Sequence, residues 1–261
     1  MATTLLPATL THRTTNPLIL WHLLSLDAPT VATVWLWFIA RATRTPIPPA
    51  LLAAAFVAVW IIYAADRLLD TRRSAARTHK EPRHLFHRMH RTAFLRVIVV
   101  AAMLLVLLLT TIPIRLTLGY TFVAMILAAW FGLVHFSRIH LPKELLPGFF
   151  FATTVFLPPM LHQPTRALLA SGVVFAALCA LNCMFIHRWE MYVSQRRRWL
   201  LQGAAVAMVV VPLLQPSPIA IAVSLSAALL LLLDRFRPQN PTTLRAAADL
   251  ALLTPLLVAW L

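Results

Sequence analysis

Acid is what this chain has least of. Eight Asp and Glu stand against 23 Lys and Arg in 261 residues, and all charged residues together make up only 12% of the sequence. A soluble domain of this length carries far more charge, so that class is excluded. Cysteine is as scarce. Cys179 and Cys183, the two present, lie in one apolar run, four residues apart on one helix face. That geometry does not suit a disulfide, so no redox compartment follows from them. Residues 1–16 are Thr-rich and lack a charged stretch followed by a clean apolar core, so no cleaved signal peptide is expected. A fixed-period repeat is also missing.

What is there is apolar. Hydrophobic residues make up 60% of the chain, and its mean hydropathy is +0.79. Runs of roughly 20 apolar residues, enough to cross a bilayer as a helix, recur from end to end. The pattern predicts an all-α, polytopic membrane protein with nine transmembrane helices. A cytoplasmic segment, residues 1–16, precedes a single transmembrane domain, residues 17–261, with no separate soluble domain. The first span covers residues 18–41 and is interrupted at Asp27-Ala28-Pro29, where Asp27 reads as a helix cap. The second ends in Tyr63-Ala64-Ala65-Asp66-Arg67-Leu68-Leu69-Asp70. A basic cytoplasmic loop, residues 71–92, follows it. Pro82 can start a short amphipathic helix there, with Leu85, Phe86 and Met89 toward the membrane. Later spans are expected over residues 93–112, 116–136, 144–162, 166–192, 199–214, 219–233 and 244–261.

The formal net charge of +15 does not point to nucleic acid, because the basic residues gather in short loops between apolar runs. There they set orientation and meet anionic lipid or a ligand phosphate. The loops after spans two, four, six and eight hold the clusters. The positive-inside rule therefore puts the N-terminus and these loops in the cytoplasm, in a membrane whose Ala, Leu and Arg bias suggests the bacterial inner membrane.

Ionisable residues inside a membrane are site candidates by default. Asp66 and Asp70 are four apart, which stacks them on one helix face about 5.4 Å apart. Like charges repel at that spacing, and anions meet the negative end of the helix dipole. A cation should offset both terms. It is either Mg²⁺, which takes one or two carboxylates alongside a substrate's phosphates, or Arg73 in an interfacial salt bridge to Asp70.

On span six, Asn182, His187 and Glu190 sit at the same level. They form a second rim for a metal-bound diphosphate or an ordinary polar helix end. Cys183 and His187 alone are a weak metal signal. His84, His87 and His90 read as part of a membrane-facing basic helix rather than a metal site. Arg138 and Lys143 are phosphate clamps or plain positive-inside residues. Asp249, four residues after Arg245, fits an intrahelical pair or a bundle-facing role. Glu81, Glu144 and Asp234 read as loop charges. Trp60, Trp130, Trp189 and Trp199 suit an interfacial belt, with one or two of them lining a hydrocarbon-chain cavity.

These features resemble the UbiA superfamily of intramembrane prenyltransferases. Asp66 and Asp70 match the last two acids of that family's Asn-Asp-x-x-Asp-x-x-x-Asp motif on helix two. Leu26-Asp27-Ala28-Pro29 is similar to its Asp-x-Pro start of helix one. Phe136-Ser137-Arg138 with Leu141-Pro142-Lys143 is similar to the segment between helices four and five. The stretch from Asn182 to Glu190 takes the place of the second Asp-rich motif. Two departures stand out: Ile62 and Tyr63 replace the opening Asn-Asp, and the second motif keeps only Asn182 and Glu190.

The resemblance implies Mg²⁺-dependent transfer of a prenyl group from a polyprenyl diphosphate to a hydrophobic acceptor within the membrane. Asp66, Asp70 and Glu190 would hold the metal. Arg73, Arg138, Lys143 and His187 would hold the diphosphate, Asn182 would complete the rim, and Tyr63 or Phe185 would face the allylic cation. Alternatives are a terpene cyclase or other lipid-modifying enzyme of the same architecture, or a non-catalytic lipid-binding or assembly protein.

Overall fold

The computed structural model describes residues 16–74, 82–136, 146–190, 194–236 and 240–260, leaving out the side chains at 70–74, 82–85, 131, 134–136, 146–147 and 190. Every regular element among the described residues is helical. Three helices start with the same device. Asn16, Ser217 and Asn240 each accept a backbone N–H with their side chain, and a proline follows at the first helical position. The cap satisfies one orphan donor, and the proline removes another where no partner exists.

The first span is broken. Helices α1 (Pro17–Leu23) and α2 (Asp27–Ala42) meet at 92°. At the corner the Ser25 N–H bonds the His22 carbonyl at 3.1 Å and the Leu26 N–H bonds the Trp21 carbonyl at 3.0 Å. This paired closure needs a left-handed residue, usually glycine. Here it is Ser25, with φ 61°. The end of α2 closes the same way through Arg44, with φ 53°. The sequence places the interruption correctly but misreads Asp27. Leu26 occupies the cap position without a side-chain bond, and the Asp27 carboxylate turns into the bundle.

Helix α3 (Pro49–Ser74) carries the Asp66 element, and α4 (Pro82–Met89) is the short amphipathic helix. Then come α5 (Arg91–Leu109), α6 (Ile114–Phe136), α7 (Leu146–His162), α8 (Arg166–Glu190), α9 (Gln195–Val210) with a 3₁₀ turn after it, and α10 (Pro218–Arg235). Five helices are long and apolar enough to cross a membrane among the described residues, or six if the bent α1–α2 pair is one span. Helices α6 and α7 add shorter apolar stretches.

The expected ninth span is two short helices, α11 (Pro241–Leu250) and α12 (Pro255–Val258). Backbone freed at such a break must find partners within the protein. The Trp35 indole donates to the Leu252 carbonyl at 2.7 Å. The Thr254 hydroxyl donates to the Ala222 carbonyl and contacts the Ser226 hydroxyl, both at 2.7 Å.

Trp35, Phe38, Phe175 and Phe185 are fully buried at the centre, where α2 meets α8. The Trp35 and Phe175 rings lie 4.4 Å apart. Helices α7 and α8 approach closely at Gly148, where a Cβ would stand 2.8 Å from the Ala180 backbone nitrogen. The outside is as apolar as the inside. Val97, Val99, Val100, Met103, Val106 and Leu107 on α5 are each more than half exposed. An apolar surface on this scale fits hydrocarbon rather than water.

Candidate functional site

Two faces of α3 carry different chemistry. The first borders an apolar cavity of about 170 Å³ between α3, α5, α6 and α7. Leu51, Ala55, Val59 and Ile62 line it from α3 at helical spacing, with Leu105 and Tyr120 opposite. The lining runs about 16 Å along the α3 axis, at 1.5 Å per residue. Asp66, partly buried, lies one turn beyond Ile62 on the same stripe. The next turn is Asp70, whose side chain lies outside the described residues. A second apolar cavity of about 430 Å³, under α4, is lined by Leu24, Leu26, Trp60, Phe86 and Phe94. Trp60 is thus a cavity residue, and its indole donates to the Leu24 carbonyl at 3.0 Å. Trp199 is 66% exposed.

The other face of α3 holds a buried charge cluster. Arg67 donates to the Asp27 Oδ2 at 3.1 Å and to the His22 carbonyl at 2.7 Å. His22 Nδ1 meets the same Asp27 oxygen at 2.5 Å. The Ala28 N–H donates to Asp27 Oδ1 at 3.0 Å. Tyr63, one turn before Arg67, lies with its ring 4.8 Å beneath the guanidinium. Asn182, from α8, donates to Asp249 Oδ1 at 3.2 Å. The donor atoms of His22, Asp27 and Asp249 all lie within 4.8 Å of one another. Ser25 Oγ and His87 Nε2, 3.2 Å apart, tie α4 to the same corner. His22, Ser25, Asp27, Arg67 and His87 are all buried.

A metal ion does not suit the His22–Asp27–Asp249 group. The Asp27 oxygen it would need is already bonded to a guanidinium and an imidazole, and a divalent cation beside Arg67 would meet a fixed positive charge. A proton needs no such room.

A second buried carboxylate closes the α8–α9–α10 end. Arg188 Nη1 lies 3.0 Å from Asp234 Oδ2. The Trp189 indole and the Gln202 amide donate to the two Asp234 oxygens at 2.9 and 3.0 Å. Asp234 is therefore a packed ion pair, not the loop charge expected from sequence.

The expected site residues divide accordingly. Asp66 lies one turn past Ile62, the last α3 residue lining the cavity, and Tyr63 lies under Arg67. Asn182 turns inward onto Asp249, whereas His187, five residues on, is exposed. The side chains of Asp70, Arg73 and Glu190, and residues 138 and 143 entirely, lie outside the described residues. Sequence reasoning passed over His22, Ser25 and Arg67, and read His87 as a solvating residue of a membrane-facing helix, whereas it is buried. The available signal was Asp27 itself, an acid in an apolar run that needs a cation somewhere inside.

These features define an all-helical protein built for an apolar surround, with a buried charge network at a broken helix. Comparison with protein-family models, curated proteins and solved structures finds no match for this chain.

Proposed function

We propose that this is an integral membrane enzyme of the prenyltransferase type, which holds the hydrocarbon chain of a polyprenyl diphosphate in the α3–α5–α6–α7 cavity. The observation that carries this reading is the α3 stripe. Its apolar lining from Leu51 to Ile62 runs directly into Asp66 one turn later. A ligand with a greasy tail and a metal-bound anionic head fits that order of surfaces. Asp66, Asp70 and Glu190 offer hard carboxylate oxygens, the donors Mg²⁺ prefers, and Arg73, Arg138, Lys143 and His187 would add positive groups for the diphosphate. The metal would supply charge neutralisation of the leaving diphosphate.

The apolar walls would exclude water while the allylic carbon ionises and a hydrophobic acceptor attacks it. In this reading the nine-helix arrangement counts α11–α12 as a broken ninth span, and the Asp66 end faces the cytoplasm of a bacterial inner membrane. One observation favours a second reading, a non-catalytic lipid-binding protein. The Tyr63 ring face expected to meet a cation is already covered by Arg67.

The test is thermal unfolding of the detergent-solubilised chain with Mg²⁺ and farnesyl diphosphate. A specific ligand at 100 times its Kd stabilises by about 2.7 kcal/mol. The upward shift should fall sharply in Asp66→Asn and disappear in Ala58→Phe, which fills the cavity. No shift in the wild type at saturating ligand sinks the proposal. A shift without product in a labelled-prenyl assay, across quinone, haem and sugar-lipid acceptors, selects the non-catalytic reading.

A further inference from the structure

Apart from Tyr63, the charge cluster on the neighbouring face of α3 has no part in that reading, and among the described residues its charges do not balance. His22 comes from α1, Ser25 from the corner, Asp27 from α2, Tyr63 and Arg67 from α3, and His87 from α4. Asn182, Cys179 and Cys183 come from α8, and Asp249 from α11, with buried Arg245 one turn before it. The groups acting on the two carboxyls are His22, Arg67, Asn182 and each other. Arg67 is always charged, Asn182 is neutral, and Tyr63 and the thiols are neutral donors. Among the described residues, the two carboxyls thus share one permanent cation. With both ionised and the imidazole neutral, the cluster would carry a net negative charge inside a packed bundle, which low-dielectric surroundings oppose. At Asp234, by contrast, the carboxylate has a guanidinium in direct contact.

We propose that His22, Asp27 and Asp249 form a proton-binding site that holds one exchangeable proton within the helix bundle. The distances supply the path. His22 Nδ1 and Asp27 Oδ2 are 2.5 Å apart, and the Asp249 carboxyl lies within 4.8 Å of both. His22 and Asp27 are 2% and 0% exposed, whereas Asp249 is only partly buried. Asp249, the least buried of the three, is the end at which the proton would enter and leave. When hydroxide or water takes the proton there, the O–H bond breaks and its electron pair stays on the carboxylate. Uptake reverses the step, and the proton then moves along the hydrogen bonds to Asp27 and His22. The site takes a proton rather than a metal, for the reason given by the Arg67 contact. It stands whether or not a prenyl diphosphate binds the other face.

Infrared difference spectra of the purified full chain, recorded through an alkaline titration, test this. Both the protonated-carboxyl C=O stretch and the imidazolium ring modes are followed. The wild type should release one proton from this group. Asp249→Asn removes one negative charge while keeping a polar partner for Asn182, and the step should vanish. Arg67→Gln, if it elutes as a folded monodisperse protein, should show two protons in place of one. Arg245→Gln should leave the count at one. No titrating carboxyl or imidazole in the wild type overturns the proposal, as does an unchanged step in Asp249→Asn. So does a second proton in Arg245→Gln, which would make Arg245 the missing cation.

Discussion

Asp27 and Asp234 are both buried carboxylates with an arginine, yet they are built differently. Asp234 faces Arg188, the Trp189 indole and the Gln202 amide, so a guanidinium and two neutral donors stand among its partners. Arg188 and Trp189 come from the end of α8 and Gln202 from the middle of α9, and the set acts as a clip. Asp27 faces Arg67 and His22 across a helix break, and a second carboxyl, Asp249, stands beside it. A closed clip needs nothing more. Among the described residues the corner is one positive charge short, and it has a strained residue and two short helices around it, features that collect where proteins do chemistry.

The largest effect should come from Asp27→Ala. It leaves the Arg67 guanidinium and the His22 imidazole buried without their shared acceptor. Breaking a buried pair from one side costs about 3–5 kcal/mol, read as loss of unfolding free energy in detergent and denaturant. Asp234→Asn should cost less, about 2–3 kcal/mol, because the asparagine carbonyl still accepts from a neighbouring donor and only the charge is lost. If Asp234→Asn is the more damaging, the contrast between clip and corner is wrong. Trp189→Phe keeps the ring packing and removes one donor from Asp234. It should cost about 1 kcal/mol.

The same contrast explains what the sequence could show. Helix α3 was legible because its apolar run and the carboxylates after it are contiguous. The corner between α1 and α2 was legible as a break, since Asp27 and Pro29 sit within an apolar stretch. Its chemistry was not, because Arg67 lies 40 residues away and no local pattern pairs it with Asp27. Asp234 looked like a loop charge because Arg235 and Arg237 follow it; its burial depends on Arg188 and Gln202 from other helices. The break between α11 and α12 is invisible in an apolar run that continues through it. The Leu252 carbonyl is satisfied by Trp35, 217 residues earlier.

The smallest effects isolate the backbone of the corner. Ser25 and Arg44 both close a helix end with positive φ, at 61° and 53°, a conformation that costs a non-glycine residue about 1–2 kcal/mol. Arg44 is exposed, so Arg44→Gly should raise stability by about 1 kcal/mol. Ser25→Gly removes the same strain but also the hydroxyl that meets His87 at 3.2 Å, and losing that hydrogen bond costs about 1 kcal/mol. The two terms should nearly cancel. Ser25→Ala loses the hydroxyl and keeps the strain, so it should fall about 1 kcal/mol below both wild type and Ser25→Gly. In a helix interior alanine outranks glycine by about 1 kcal/mol, so the reversed order is diagnostic of the left-handed turn. A large loss in Ser25→Gly would mean that the Ser25–His87 contact, rather than the turn, holds α4 against the charge cluster.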